Sequence, residues 1–230
     1  MFSLHNTSNI SIETSTFHNN EKYDDMLHVV YGDNIKLDYV TFRDAVFDAI
    51  DIDMSTNIIL NNIKVTNAGN DAIDFMGTEA LVDKAYLYRS GDKGISVGEN
   101  SNILVYDSLL SENKIGLASK DGSSAKILDS VIDSNSVQIS AYQKNWRYGA
   151  GGDVLVFRSR IINGRKNFDL KNFSDITVVD SVITGSDSYK NEKNVKIFTN
   201  CNSRLLGEIV NHPLYDDIST TDSKSISCMI

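Results

Sequence analysis

The sequence contains little of what marks a membrane-bound or nucleic-acid-binding protein. It has one proline, Pro213, and two cysteines, Cys201 and Cys228, among 230 residues. No apolar run approaches the roughly 20 residues that a membrane span needs, and no basic-then-apolar signal peptide opens the chain. The formal net charge of −9 is the opposite of the basic excess of a general nucleic-acid binder. We therefore predict a soluble protein whose partners include neither a membrane nor a nucleic acid.

The two cysteines leave the redox compartment open. No histidines accompany Cys201 and Cys228 at the spacing of a metal site. A disulfide between them and a pair of free thiols are both compatible with the sequence.

Turn-forming residues are abundant and regularly spaced. Asn, Asp, Ser and Gly recur at short intervals, while apolar residues make up 41% of the chain. That apolar fraction is sufficient for a folded core and argues against disorder. Frequent turns with almost no proline indicate many short strands rather than helices.

An internal repeat of 22 to 23 residues runs through most of the chain. Each repeat contains alternating apolar segments, and the central apolar residue of one segment can be followed from repeat to repeat. The spacing is 22 or 23 residues up to Ile139 and 29 residues to the next member, which indicates an insertion within residues 144–152. The central residues are Leu27, Ile50, Ile73, Ile95, Leu117, Ile139 and Phe168.

This period predicts an all-β fold, a single-stranded parallel β-helix solenoid of about eight coils. Two or three short strands fit into each repeat, and no helix does. A leucine-rich repeat is the rival at this period, but its Leu-x-x-Leu-x-Leu pattern is missing. We predict the β-helix over residues 1–185 and a C-terminal coil, with a possible cap, over residues 186–230. Four residues are expected to stack as an asparagine ladder at one turn: Asn9, Asn34, Asn57 and Asn102.

The coil pattern and the stacked asparagines resemble the right-handed parallel β-helix superfamily of pectate lyases, polygalacturonases and alginate epimerases. The resemblance covers residues 2 to about 185. It implies a right-handed coil and a carbohydrate-active protein, and fold analogy favours an extracellular or cell-surface location. Similar coils also occur in non-enzymatic bacterial surface proteins and phage tailspikes. The Asp-Pro-His-Asp motif of alginate epimerases and the Gly-His-Gly motif of polygalacturonases are absent.

Strand parity places a column of carboxylates on the outward face of the coil. If Ile50 and Ile52 point inward, then Asp51 and Asp53 point outward, and Asp74 lies one coil from Asp51. Stacked carboxylates repel unless a cation or a shared proton intervenes. Oxygen ligands at this density suit calcium. The alternatives are a general acid–base pair, or simple capping of backbone amides. The predicted metal ligands are Asp48, Asp51, Asp53, Asp71 and Asp74.

Basic and aromatic residues follow the acidic column toward the C-terminus. Lys120-Asp121-Gly122-Ser123 has the composition of a turn, and an unusual insertion contains the only tryptophan. Aromatic rings stack on sugars, and Arg or Lys holds their carboxylates. The alternative for Trp146 is a side chain buried against the coil as a loop anchor. The predicted substrate-binding residues are His28, Tyr142, Lys144, Trp146, Arg147 and Tyr148, and the predicted catalytic residues are Asp51, Asp74, Lys93 and Lys120.

Two classes of function remain from the sequence. The first is a carbohydrate-active β-helix that acts on or binds an acidic, uronate-containing polysaccharide, as a calcium-assisted lyase or C5-epimerase. The second is a non-catalytic surface or tailspike-type β-helix that binds glycan or spaces other domains. In either case the first coil exposes unpaired strand edges, so it is expected to pack on another domain or subunit.

Overall fold

Alternating apolar residues between regularly spaced turns produce three short strands per coil. The structure is a computed structural model, and it describes residues 1–22, 24–171, 173–185, 194–199, 207 and 211–217. Equivalent strands of successive coils pair in parallel and form three sheets, here called A, B and C. The predicted all-β solenoid of about eight coils is therefore confirmed.

Each sheet takes one strand from each of eight coils, and sheet B has a ninth strand, β25. Sheet A contains β1 (Phe2–His5), β4 (Leu27–Val30), β7 (Ile50–Asp53), β10 (Ile73–Met76), β13 (Lys93–Gly98), β16 (Ile115–Lys120), β19 (Val137–Tyr142) and β22 (Lys166–Leu170). Sheet B contains β2 (Ser8–Glu13), β5 (Asp33–Asp38), β8 (Thr56–Asn61), β11 (Glu79–Asp83), β14 (Asn102–Tyr106), β17 (Ser124–Leu128), β20 (Asp153–Phe157), β23 (Asp175–Val179) and β25 (Val195–Phe198). Sheet C contains β3 (Thr16–Asn20), β6 (Thr41–Ala45), β9 (Lys64–Thr66), β12 (Tyr86–Tyr88), β15 (Leu109–Ser111), β18 (Val131–Asp133), β21 (Arg160–Gly164) and β24 (Val182–Gly185). Short 3-10 helices span Trp146–Tyr148 and Tyr215–Asp217.

The core is a set of side-chain stacks that run along the axis of the coil. In sheet A the stack begins at Leu27 and ends at Phe168, and each member pairs in register with the residue of the next coil. All seven predicted members are fully buried. The 29-residue step between Ile139 and Phe168 is absorbed by the loop after β19, because these two residues still pair directly.

Buried hydroxyl ladders satisfy the backbone at the corners of the coil. The backbone N–H of Ser108 donates to Ser130 Oγ at 3.1 Å, and the N–H of Ser130 donates to Ser159 Oγ at 3.1 Å. A buried amide does the same at another corner, where Asn113 Oδ1 accepts from the N–H of Ser90 at 2.8 Å. These bonds pair corner N–H groups that burial would otherwise leave without a partner.

The predicted surface asparagine ladder forms in part. Asn34 Nδ2 donates to Asn9 Oδ1 at 2.7 Å. Asn57 instead donates to the carboxylate of Asp33 at 2.8 Å. An adjacent aspartate offers a stronger, charged acceptor than a third amide does, so the ladder is interrupted there.

The two ends of the chain differ. In the first coil, Leu4, Ile10 and Phe17 are only partly buried against the core, so the expectation that this coil packs on a partner stays a prediction. Residues 211–217 lie against the outer face of sheet B, where Leu214 packs into an apolar cluster. Most of the predicted cap over residues 186–230 lies outside the described residues, and so do Cys201 and Cys228.

Candidate functional site

The outward face of sheet A carries the predicted column of polar residues. In β7, Ile50 and Ile52 are buried, whereas Asp51 and Asp53 alternate with them and are only partly buried. The strands pair in register, so the column forms as the parity predicts. It runs through His28, Asp51, Asp74, Ser96, Ala118, Ser140 and Asp169.

One imidazole and two carboxylates meet at the N-terminal part of this face. His28 Nε2 lies 3.4 Å from Asp53 Oδ2 and 3.8 Å from Asp51 Oδ2. The side chains of His28 and Asp51 are 23% and 21% exposed, so a ligand can reach both. The three ligand atoms lie within 4.8 Å of one another, a spacing that a metal ion can bridge.

Burial and mutual repulsion raise the pKa of these carboxylates. Burial, followed by the charges of Asp53 and Asp25, raises the pKa of Asp51 from 3.8 to about 8. Burial is also the first cause of the raised pKa of Asp71, to about 7, and of Asp48 and Asp25, each to about 6. A carboxyl group with its pKa raised this far is mostly protonated at neutral pH and can then donate a hydrogen bond.

Two of the predicted metal ligands already have backbone partners. Asp48 Oδ1 accepts from the N–H of Asp71 at 2.7 Å and from Asn70 Nδ2 at 2.9 Å. Asp71 Oδ1 accepts from the N–H of Lys93 at 2.8 Å. These contacts match the capping alternative for Asp48 and Asp71. The compact group that offers ligand atoms is His28, Asp51 and Asp53.

Lys93 is engaged in a buried network of charges. Its Nζ lies 3.3 Å from Asp71 Oδ2 and 2.6 Å from Asp92 Oδ2, and its side chain is 9% exposed. Asp71 raises the pKa of Lys93 despite the opposing effect of burial. The charge of the ammonium group is thus balanced by two carboxylates inside the protein. The catalytic role of Lys93 stays a prediction, and these contacts do not support it.

The side chain of Lys120 extends across two coils toward His28, Asp51 and Asp53, which are together called the acidic group below. Its side chain is 5% exposed, and Nζ donates to Ser96 Oγ at 3.0 Å and lies 3.9 Å from Asp74 Oδ1. Gly98 makes this path available, because a Cβ at position 98 would lie 2.5 Å from Lys120 Cε. Asp74 Oδ1 is buried and has no hydrogen-bond partner among the described residues. The structure therefore brings Lys120 and Asp74 together beside Asp51.

The insertion after β19 carries the residues predicted to form an aromatic platform. Trp146 is 80% exposed, so the alternative in which it anchors the loop by burial is wrong. Arg147 and Lys144 are also exposed, while Tyr142 and Tyr148 are partly buried. Tyr142 pairs in register with Lys120, and Lys171 Nζ lies 5.4 Å from the centre of its ring. The loop therefore starts at the end of a strand of sheet A, the sheet that also carries His28, Asp51 and Asp53.

Two residues of this region were missed in the sequence. Asp121 is fully buried and accepts hydrogen bonds from the backbone of the insertion, and Gly98 accommodates Lys120. Asp121 lies in a segment with the composition of a turn, and it does adopt a left-handed conformation with φ 56°. The sequence did not predict its hydrogen bond with the N–H of Lys144, 23 residues later, because no residue near Asp121 distinguishes this turn from the others.

A cavity of about 370 Å³ lies elsewhere, on the outer face of sheet B. It is lined in part by Lys126, Asp153, Asp175 and Lys196. Lys196 pairs with Asp175 at 3.3 Å, and Lys126 Nζ donates to the carbonyl of Asn211. Much of its polar lining is thus satisfied internally, and the cavity is separate from the residues on sheet A.

Comparisons with known proteins agree with this architecture. Residues 25–146, more than half of the chain, match the family described as the right handed beta helix region, and the protein belongs to that family. Its coil is therefore right-handed. No curated protein is detectably similar in sequence. None of the described helices is long and apolar enough to cross a membrane.

Solved structures with the same fold include an enzyme and an adhesin. The periplasmic alginate epimerase AlgG superposes with a TM-score of 0.59 at 8% identity, over 79% of this chain and 48% of that one. PfbA, a surface adhesin of Streptococcus pneumoniae, gives a TM-score of 0.52 at 12% identity, over 83% of this chain and 61% of that one. At these identities the similarity establishes a shared fold. The chain spans about half to three fifths of the length of these two proteins.

Proposed function

We propose that this protein binds an acidic, uronate-containing polysaccharide along sheet A and acts on it by proton transfer at the carbon next to the uronate carboxylate. The observation that carries the proposal is the grouping of His28, Asp51 and Asp53 on the exposed face, with Lys120 and Asp74 beside them. Elimination and C5 epimerisation both begin with removal of that proton. Both need a base and a group that stabilises the negative charge on the carboxylate.

The three residues divide these tasks according to their environments. His28 is the base: its Nε2–H donates to Asp53 Oδ2 at 3.4 Å, which orients the ring and leaves Nδ1 as the nitrogen that takes the proton. Asp51, whose raised pKa keeps it protonated, donates a hydrogen bond to the substrate carboxylate. In elimination, the electron pair left at C5 forms a double bond to C4, the C4–O bond breaks, and the departing oxygen takes a proton. In epimerisation, a proton returns to C5 from the opposite face.

Lys120 contributes charge rather than direct contact. Its ammonium is buried 3.9 Å from Asp74 Oδ1, so it adds positive potential next to the acidic group. That potential attracts the carboxylates of the polymer and offsets the repulsion from the neighbouring aspartates.

The polymer's further contacts lie toward the C-terminus of sheet A. Four coil steps separate β7 from β19, which is about 19 Å at the usual spacing between strands. The exposed Trp146 and Arg147 lie just beyond β19. An aromatic face for a sugar ring and a guanidinium for a carboxylate suit one extended acidic chain that also reaches the acidic group. We propose the same extracellular or cell-surface setting in which such polymers occur.

The second proposal for the acidic group is that it binds a cation. The geometry of His28, Asp51 and Asp53 supports it, because one ion can contact all three. The calcium predicted from the sequence remains a proposal for this site, bound by carboxylate oxygens of Asp51, Asp53 and Asp74 rather than by the imidazole of His28. A bound cation would neutralise the substrate carboxylate in place of the proton on Asp51.

The test is a panel of uronate polymers, each incubated with the protein in calcium or in chelator. Elimination produces unsaturated ends that absorb in the ultraviolet, and epimerisation changes the proton NMR spectrum of the polymer. His28→Gln should abolish either product, whereas His18→Gln, on the exposed face of β3, should not. Binding without any product would support the non-catalytic alternative. Neither binding nor product from the wild-type protein would refute the proposal.

A further inference from the structure

The Trp146 platform is held by a hydrogen-bond network that begins in the neighbouring coil. Asp121 follows β16, and its Oδ1 accepts from the N–H groups of Lys144 and Asn145, at 2.7 Å each. Asn145 Oδ1 in turn accepts from the N–H of Arg147 at 3.1 Å, which caps the 3-10 helix. Trp146 is therefore connected to the rigid sheet through one carboxylate oxygen and one side-chain cap.

The other end of the insertion is fixed just as closely. Gly149 ends the 3-10 helix with φ 70°, and its N–H donates to the carbonyl of Trp146 at 3.2 Å. The carbonyl of Gly151 accepts a hydrogen bond from the N–H of Gly122 at 2.6 Å, and the N–H of Gly151 donates to the carbonyl of Phe173 at 2.8 Å. Both ends of the loop are therefore hydrogen-bonded to neighbouring coils.

Burial of the Asp121 side chain is energetically unfavourable unless other contacts compensate for it. The residue is fully buried, and its second oxygen, Oδ2, has no hydrogen-bond partner among the described residues. A buried polar atom without a partner destabilises a protein. The two short hydrogen bonds from the N–H groups of Lys144 and Asn145 to Oδ1 are the compensating contacts.

We propose that Asp121 is a positioning residue that keeps Trp146 extended as a platform for the apolar face of a sugar ring in an acidic polysaccharide. The inference rests on the proposed function of sheet A and names the residue that controls its distal contact. Asp121 acts through the loop backbone and does not touch the polymer. Its loss should weaken binding and leave the proton-transfer step intact.

The sole tryptophan of the chain makes the loop directly observable. In the free protein, Asp121→Ala should lower the anisotropy of Trp146 fluorescence and change its quenching by acrylamide. Asp121→Asn keeps an oxygen at the acceptor position and should restore most of the wild-type signal. Asp107→Ala removes an exposed aspartate from another left-handed turn and should leave the signal unchanged.

Polymer titrations complete the test. With alginate or polygalacturonate, Asp121→Ala and Trp146→Ala should each raise Kd or KM by about 3- to 10-fold, the range expected for loss of one aromatic contact. The turnover number of Asp121→Ala and its pH profile should stay at the wild-type values. Thermal unfolding of each variant confirms that the assays are run on folded protein.

The outcomes separate the two proposals. A wild-type protein that binds no uronate polymer refutes the proposed function, while the anisotropy of the free variants still tests the positioning of Trp146. Unchanged anisotropy in Asp121→Ala refutes the positioning role. A polymer affinity that falls in Trp146→Ala but not in Asp121→Ala refutes it as well.

Discussion

Asp51→Asn should stabilise the protein at neutral and alkaline pH. The folded state holds the pKa of Asp51 at about 8, whereas the unfolded chain has the ordinary value of 3.8. Between these two values the folded state binds one more proton than the unfolded state does. The free energy of unfolding must therefore fall as pH rises from about 4 to about 8. Asparagine cannot ionise, so the variant lacks this contribution.

The size of the effect follows from the same pKa. Each tenfold change in proton affinity corresponds to about 1.4 kcal/mol, so the full difference sets an upper limit of about 6 kcal/mol above pH 8. The side chain is 21% exposed, and neighbouring aspartates share the repulsion, so we expect about 1–3 kcal/mol. Asp51 makes no close hydrogen bond with His28, at 3.8 Å, so little is lost on substitution.

The assay is urea unfolding followed by circular dichroism at pH 5, 7 and 9 with chelator present. The stability of the variant should exceed that of the wild type by an amount that grows across this series, and exposed Asp107→Asn serves as the control. Parallel pH profiles for Asp51→Asn and the wild type would refute the reasoning. Adding calcium also distinguishes a protonated Asp51 from an Asp51 that binds a cation. A bound ion would flatten the wild-type profile above pH 7, and Asp51→Asn would lose that response.

Two further predictions concern the scaffold. Lys93→Ala should lower the free energy of unfolding by about 3–5 kcal/mol, because it leaves Asp71 buried without its counter-charge. Lys114 pairs with the same network from an exposed position, so Lys114→Ala should cost less than about 1 kcal/mol, and equal losses would argue against a structural role for Lys93. Asn113→Ala should cost about 1–3 kcal/mol, since it removes the acceptor for the buried N–H of Ser90. Thermal and urea unfolding measure both, and a neutral result for Asn113 would mean that the corner N–H finds another partner.

The fold was predictable because a solenoid repeats one local rule. An apolar residue at every 22 or 23 positions must stack on its counterpart in the next coil, so the period alone fixes the register of sheet A. The register then fixes which side chains face outward, and the pairing of Asp51 with Asp74 followed directly. The insertion did not disturb this logic, because Ile139 and Phe168 pair across it.

The chemistry of the site was less predictable because it depends on side-chain direction rather than register. Lys93 and Lys120 both lie in sheet A, but their ammonium groups have different partners. The ammonium of Lys93 contacts Asp71 and Asp92. The side chain of Lys120 instead extends over Gly98 toward Asp74. The difference arises from a missing Cβ one coil away, which a linear pattern does not reveal. A long flexible cation can select among several carboxylates, and packing against its stem decides the choice. In a β-helix the backbone therefore specifies which residues are neighbours, and small residues in adjacent coils specify which of those neighbours can meet.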